Sequence, residues 1–287
     1  MHSTLLLGRD EIHLWFSFYD GIRDERLLSR YRDLIAEEER FQERRFYFAR
    51  DRHRYLVTRA MVRTVLSRYL PVHPRAWRFS ANAHGRPEIA NAEQNDAGLS
   101  FNISHTNGLI VLGVTRHRAV GVDVENLVAR DVSLEIATHY FSSEEVAALA
   151  RTSMSQQKYR FFEYWTFKEA YIKGRGMGLS LPLDKFAFHF PQSDSVTLTI
   201  HPDLEDHSAR WQLWQFRPSA EHLIAVCAER TASQPRAFIA IRKITPIAEE
   251  ELLALEPTRV SVETHSGDSS SGSICLGDCS NSGRSSN

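Results

Sequence analysis

The chain has 287 residues, of which 42% are hydrophobic and 25% charged, ordinary values for a globular protein of one large or two smaller domains. With 35 basic and 36 acidic side chains the net charge is -1, which excludes a global pull toward nucleic acid or an anionic membrane and makes any polyanion site local. The run Leu5 to Leu7 is too short for the apolar region of a signal peptide, and no later stretch nears the roughly 18 apolar residues of a membrane span, so the expectation is a cytoplasmic chain without an export signal.

Ile12, Leu14, Phe16 and Phe18 alternate, the period of a half-buried strand that opens a first sheet. From about Ala36 to Leu70 the pattern turns helical, with Phe41, Phe48, Leu56, Met61, Val65 and Tyr69 between arginines; Pro71 ends it, and a break is predicted near Ala49 to Asp51. AWRFSAN, the turn HGRPEI, SFNIS and LIVLGVTR then read as a short antiparallel sheet packed on the long helix. A new strand, VGVDVEN, starts near Ala119. Helical text follows from Ser133 to Ala150 and from about Ser155 to Lys173, with Ser142 and Glu145 spaced as a capping box.

Past Gly174, Gly176 and Gly178 the chain returns to strands in KFAFHF, VTLTIH, RWQLWQF and LIAVCAE. Helix plus meander thus occurs twice. The predicted class is α+β with two similar halves, each a small, mainly antiparallel sheet packed on helices, divided as 1–118, 119–245 and a C-terminal tail 246–287. Serine and glycine dominate from about Ser261, which predicts disorder there. Cys227 lies in an apolar run and reads as a small core residue, while Cys275 and Cys279 match neither a zinc knuckle nor a redox pair.

Several residues can do chemistry. Asp123 and Glu125 are two apart in a strand, so both carboxylates leave one face and can share a cation such as magnesium, although an acidic solvated face gives the same spacing. Glu169 and Lys173 are four apart on a helix with Trp165 a turn earlier, the spacing of a site face and equally of a surface ion pair. Ser104 and His105 end an apolar strand, where a hydroxyl and an imidazole can hold a phosphate; being adjacent they point to opposite faces, which disfavours a hydrolase pair. Arg44, Arg45, Arg50, Arg52, Arg54, Arg59 and Arg63, with Arg86 beyond, supply guanidinium forks suited to phosphate, much of it solvated surface.

Taken in order, GRPEI, FNISHT, GVDVE and WTFKEAYIKGRGMGLSL resemble the signature blocks of the Sfp-type 4'-phosphopantetheinyl transferases, and the resemblance runs over nearly all of Ile12 to Glu229. It implies a monomer of two pseudo-twofold-related halves with coenzyme A in the cleft between them. By the family pattern Asp123, Glu125 and Glu169 hold magnesium, and Lys173 lies against the phosphate being transferred. Ser104 and His105 receive the 3'-phosphate of the nucleotide, and Arg54 and Arg86 complete the anion cradle.

The implied reaction transfers 4'-phosphopantetheine from coenzyme A to a serine of an apo acyl or peptidyl carrier protein. Glu145 is the first candidate for the proton acceptor, with Glu169 or a magnesium-bound hydroxide as rivals. An acidic carrier helix is expected to dock around Phe141 to Lys158. The sequence departs from the pattern at Arg86, in place of a lysine, and at Glu39 and Gln42, where some relatives carry nucleotide-binding lysines. The alternatives are a catalytically silent module that binds coenzyme A or a carrier, and a phosphate-binding interaction protein that uses the arginine-rich helix, which a salt-sensitive affinity for RNA without coenzyme A binding would favour.

Overall fold

The computed structural model describes residues 4–92, 97–132, 134–231 and 237–262. Strand β1 (Glu11–Ser17) leads to helices α1 (Glu25–Leu34), α2 (Glu37–Arg45) and α3 (Ala49–Leu66). A hairpin of β2 (Phe79–Ala81) and β3 (Pro87–Ile89) follows, then the long pair β4 (Leu99–Thr106) and β5 (Leu109–Arg116). The second part runs through β6 (Val120–Asn126), α4 (Leu134–Tyr140), α5 (Ser143–Arg151), α6 (Met154–Arg175), β7 (Phe186–His189), β8 (Ser195–Ile200), β9 (Trp211–Phe216) and β10 (His222–Glu229). The last strands are β11 (Phe238–Thr245), β12 (Glu249–Leu253) and β13 (Arg259–Ser261).

The strands form two main sheets, ordered β12-β11-β1-β5-β4 and β6-β10-β9-β13-β8-β7, beside the β2-β3 hairpin. Three apolar clusters stack them into four layers. The first packs Leu56, Met61 and Val65 of α3 under Trp15 and Leu112. The second lies between the sheets, where Ile12, Leu14, Phe16 and Val111 meet Val122, Val124, Ile224 and Val226. In the third, Phe162, Phe167 and Tyr171 of α6 lie on Leu223 and Ala225. Burial of this much apolar surface, at about 25 cal/mol per Å², is what holds sheet to sheet and helix to sheet.

The α+β class with sheets packed on helices matches the expectation, and the differences in detail have physical causes. β1 is buried on both faces rather than one, because the second sheet covers Leu14 and Phe16 while α3 covers Trp15. Its one imidazole is accommodated by a hydrogen bond between His13 Nδ1 and the Tyr69 hydroxyl at 2.8 Å, and Trp15 Nε1 donates to the same oxygen at 2.8 Å. The helix break falls at residues 46–48, slightly before the predicted place.

The division at residue 245 is corrected. β11 pairs parallel with β1 from Glu11↔Phe238 onward, so 238–245 belong to the sheet of the first half, as does β12. β13 then returns to pair with β8 and β9 of the second sheet. The segment read as a tail from 246 therefore stitches both sheets together. The serine-rich stretch at 263–287, with Cys275 and Cys279, lies outside the described residues, whereas Cys227 is fully buried. Among the described residues no helix is long and apolar enough to cross a membrane.

Two edge strands, β4 and β6, face each other at the seam between the sheets. The seam is closed by side chains instead of a backbone ladder. Asn102 Oδ1 accepts from the Val122 amide at 2.9 Å, Ser104 Oγ from Val124 at 3.3 Å and Thr106 Oγ1 from Asn126 at 3.2 Å. Every second residue of β4 thus satisfies every second amide of β6, so an edge that would otherwise invite foreign pairing is capped.

Candidate active site

The face of β6 turned away from the other sheet carries Gly121, Asp123 and Glu125, while Val122 and Val124 enter the core between the sheets. α6 crosses this face at backbone contact. A Cβ at Gly121 would lie 2.0 Å from the Ala170 carbonyl oxygen and 2.3 Å from the Gly174 nitrogen, so only glycine permits the approach. The helix ends where Gly176 takes a positive φ of 69°. The result is that Glu169 and Lys173, one turn apart on α6, stand over Asp123 and Glu125.

Lys173 Nζ contacts Asp123 Oδ1 at 2.6 Å and donates to Ser104 Oγ at 3.0 Å; the Ser104 hydroxyl in turn donates to Asp123 Oδ1 at 3.0 Å. The second carboxylate oxygen of Asp123, Oδ2, is buried and has no hydrogen-bond partner among the described residues. A buried acceptor left in that state is costly, on the order of 1–3 kcal/mol, unless something else occupies it. Glu125 Oε1 meets Arg130 Nη2 at 2.9 Å, and the Arg130 guanidinium lies 5.7 Å from the ring centres of both Phe162 and Trp165.

The carboxylates crowd one another. Burial, and then the charge of Asp123, push the Glu125 carboxyl up to about 7 against the opposing pull of Arg130 and Lys173. The same two causes raise Glu169, with Lys173 opposing. As they stand the carboxylates do not close into a ligand shell, and among the described residues no group of three His, Cys, Asp or Glu side chains does so. Asp123 is drawn to Lys173 and Glu125 to Arg130, each using a cation of the chain as partner.

On the neighbouring strand Ser104 is 8% exposed and faces the seam, while His105 points outward and is exposed. Although the residue is exposed, the protein crowded around the ring and the charge of Arg54 hold the His105 pKa below its ordinary value. Arg54 itself pairs with Asp51 at 3.0 Å. A hard-oxygen acidic cluster, a lysine within it and a histidine–arginine pair along the same edge form an arrangement suited to a phosphate ester.

Residues 119–227 match the model of the 4'-phosphopantetheinyl transferase superfamily, and residues 24–117 match that of the 4'-phosphopantetheinyl transferase N-terminal region. The chain is 33% identical to the 4'-phosphopantetheinyl transferase Sfp of Bacillus subtilis over 72% of its own length and 90% of that protein. The chain belongs to the 4'-phosphopantetheinyl transferase superfamily. It is also 33% identical to the transferase ffp of Bacillus subtilis, over 72% of this chain and 85% of that one. With the transferase HetI of a Nostoc strain it shares 29% identity over 81% of this chain and 94% of the relative.

Within this transferase, three residues with expected roles have visible partners. Arg86 reaches the carbonyl oxygens of Lys173 at 3.1 Å, Gly174 at 3.4 Å and Val120 at 3.2 Å with its two terminal nitrogens. Both are engaged with backbone, so Arg86 clamps the end of α6 onto β6. Asn82 donates to the Gly176 carbonyl oxygen at 3.0 Å from the same hairpin. A cation at the C-terminal end of a helix is also favoured by its dipole. Ser104 bonds Asp123, Lys173 and Val124, which makes it an organiser of the acidic cluster.

Glu145 forms the predicted capping box with Ser142, but its side chain is fully buried and paired with Lys168 at 2.8 Å. It has no access to a serine on another protein. Glu39, in place of a lysine, is bonded to Arg59 and Arg63 and accepts from the Ala36 amide at 2.9 Å. That departure is absorbed inside the fold, because Arg63 continues to the carbonyl oxygens of Pro74 at 3.0 Å and Trp77 at 2.9 Å.

The residues that sequence reading passed over are Asn102, Gly121, Arg130 and Lys168. Gly121 was visible as the first letter of the GVDVE block. Asn102 shares the period-two polarity of FNISHT. Arg130 and Lys168 carry no local signal, since their partners come from other elements.

Proposed function

We propose that the protein transfers the 4'-phosphopantetheine group of coenzyme A to a serine hydroxyl of an apo acyl or peptidyl carrier protein, giving the holo carrier and adenosine 3',5'-bisphosphate. Membership of the transferase superfamily supports the reaction class. The observation that carries the reading for this chain is the buried, unpartnered Oδ2 of Asp123 beside Lys173, with Glu125 and Glu169 raised by their shared charge. That donor set is all carboxylate oxygen and fits magnesium, with Asp123, Glu125 and Glu169 as the residues that would hold it. The ion, when bound, supplies charge neutralisation at the diphosphate.

The protein's own groups account for the remaining steps. Lys173 Nζ, released from Asp123, donates hydrogen bonds to the phosphate oxygens on which charge builds. His105 and Arg54 hold the nucleotide end, His105 as a hydrogen-bond donor and Arg54 as the fixed charge. The serine oxygen forms a bond to the pantetheine-side phosphorus, the bond from that phosphorus to the bridging oxygen breaks, and the bisphosphate leaves with the electron pair. Glu169, whose carboxyl is pushed up by burial and by the charge of Asp123 and which stands one helical turn from Lys173, is the residue that would take the serine proton. Buried Glu145 has no part in that step. The layered core holds donor and acceptor sites on one rigid frame, which limits the entropy lost in bringing them in line.

The chain functions as a monomer in this reading and serves a soluble carrier. Incubation with coenzyme A, magnesium and a panel of apo carriers, followed by mass spectrometry of each carrier, is expected to reveal the added phosphopantetheine on at least one. A panel left unmodified while a known transferase modifies it would reject the proposal.

A further inference from the structure

A buried ion pair beside the site has no place in the transfer chemistry. The side chains of Glu145 and Lys168 are each 0% exposed, and their charged atoms lie 2.8 Å apart. Lys168 Nζ also donates to the carbonyl oxygens of Leu183 at 2.7 Å and Phe186 at 2.8 Å, so all three of its protons are placed. The ammonium sits 4.3 Å from the centre of the Phe186 ring, and that aromatic face adds to its stabilisation. Glu145 Oε1 accepts from the Phe188 amide at 2.9 Å, and Oε2 from the Ser142 amide at 2.9 Å.

Through these bonds one ion pair joins four pieces of chain: the start of α5, the middle of α6, the turn at Leu183–Lys185 and β7. Lys168 immediately precedes Glu169, and Lys173 lies farther along the same helix. The opposite side of α6 rests on β6 by the close approach of Gly121 to Gly174, a contact between backbones. Such a contact fixes the separation of helix and strand. The roll of the helix about its axis depends on what grips its flanks: Trp211 packs beside Gly174 on the β6 side, and Lys168 is gripped on the far side. A rotation of α6 would swing Glu169 and Lys173 away from Asp123 and Glu125.

We propose that the Glu145–Lys168 pair is a positioning device that fixes the roll of α6, and thereby where Glu169 and Lys173 stand over the carboxylates of β6. This deepens the reading of α6 as the helix that carries the phosphate-handling groups and rests on that reading. Glu145 acts through Lys168 and not on the substrate. Removing one member of a fully buried pair leaves the other charge without compensation, whereas neutral side chains of similar size at both positions keep the packing and strand no charge.

The test compares Glu145→Gln, Lys168→Met and the double variant in turnover, in the magnesium concentration giving half-maximal rate, and in melting temperature. Each single variant is expected to lower turnover by about tenfold or more and to raise the magnesium requirement by about threefold or more. The double variant is expected to return to within about threefold of the wild type in both. A double variant that melts like the wild type yet stays as slow as Glu145→Gln would show that the carboxylate itself is needed, and would overturn the proposal. So would single variants that match the wild type in both measures.

Should the double variant not fold, Glu145→Asp decides. It keeps the charge and shortens the reach, so a raised magnesium requirement supports positioning, and slow turnover with an unchanged requirement contradicts it. Wild-type protein that modifies no carrier fails the functional reading itself, whichever way the variants fall.

Discussion

Asp123 and Glu125 leave β6 on one face and end in different electrostatic states. Asp123 holds Lys173 at 2.6 Å, whereas Glu125, pressed by burial and by Asp123, is pushed up to about 7. A carboxyl whose folded pKa lies above its unfolded one binds its proton more tightly in the native state. Its contribution to stability is present in full below the unfolded value near 4.5 and is lost as pH rises through about 7. The ion-free protein is therefore expected to melt at a lower temperature at pH 8 than at pH 6. The fall should be smaller in Glu125→Gln and smaller again in the wild type with millimolar magnesium. Melting curves of both proteins at the two pH values check this, and equal slopes for wild type and variant would count against the crowding of the carboxylates.

The same scale separates what could be read early from what could not. The period of two that pairs Asp123 with Glu125, and the period of four that pairs Glu169 with Lys173, are local regularities and were legible in the sequence. So was the capping box of Ser142 and Glu145. What that reading could not supply was the occupant of the opposite side of Glu145, because Lys168 reaches it from another element. The partners of Arg86 were hidden for the same reason: a sequence displays its charge, while the carbonyls of Val120, Lys173 and Gly174 that it binds belong to strands and helices assembled later.

Among the elements, the pairing of α6 with β6 decides the site. The room for a side chain at Gly121 is negative, with the Ala170 carbonyl oxygen 2.0 Å from an added Cβ. Gly121→Ala is expected to push α6 outward, to cost about 1–3 kcal/mol of stability as overpacking does, and to lower turnover by a larger factor than the stability loss explains. Urea denaturation beside a carrier-loading assay measures both. A variant with reduced stability and full activity would show that the close contact does not place Glu169 and Lys173. The seam of Asn102, Ser104 and Thr106 against β6 does comparable work along the strand direction, setting which residue of one sheet stands beside which residue of the other.

In the molecule as a whole, the two halves are less separate than their sequences suggest. The repeated order of helix and meander gave the α+β class correctly, since each unit has its own periodic pattern. The placement of β11 beside β1 was not legible. A strand's periodicity states that it is buried and is silent about its neighbour. A continuous apolar layer between the sheets and a C-terminal segment that visits both sheets make the frame one body in the described residues. Such a frame keeps Lys173 against Asp123 and Ser104 on the edge shared by β4 and β6.

In the proposed reaction Asp123, Glu125 and Glu169 share one divalent ion when coenzyme A is bound. Calorimetric titration of coenzyme A into the protein, with and without magnesium and in wild type and Asp123→Asn, tests this directly. The prediction is one divalent ion per chain and a gain in coenzyme A affinity of about tenfold or more with magnesium, abolished in Asp123→Asn. Equal coenzyme A affinity with and without magnesium in the wild type, or an undiminished magnesium effect in Asp123→Asn, would contradict it.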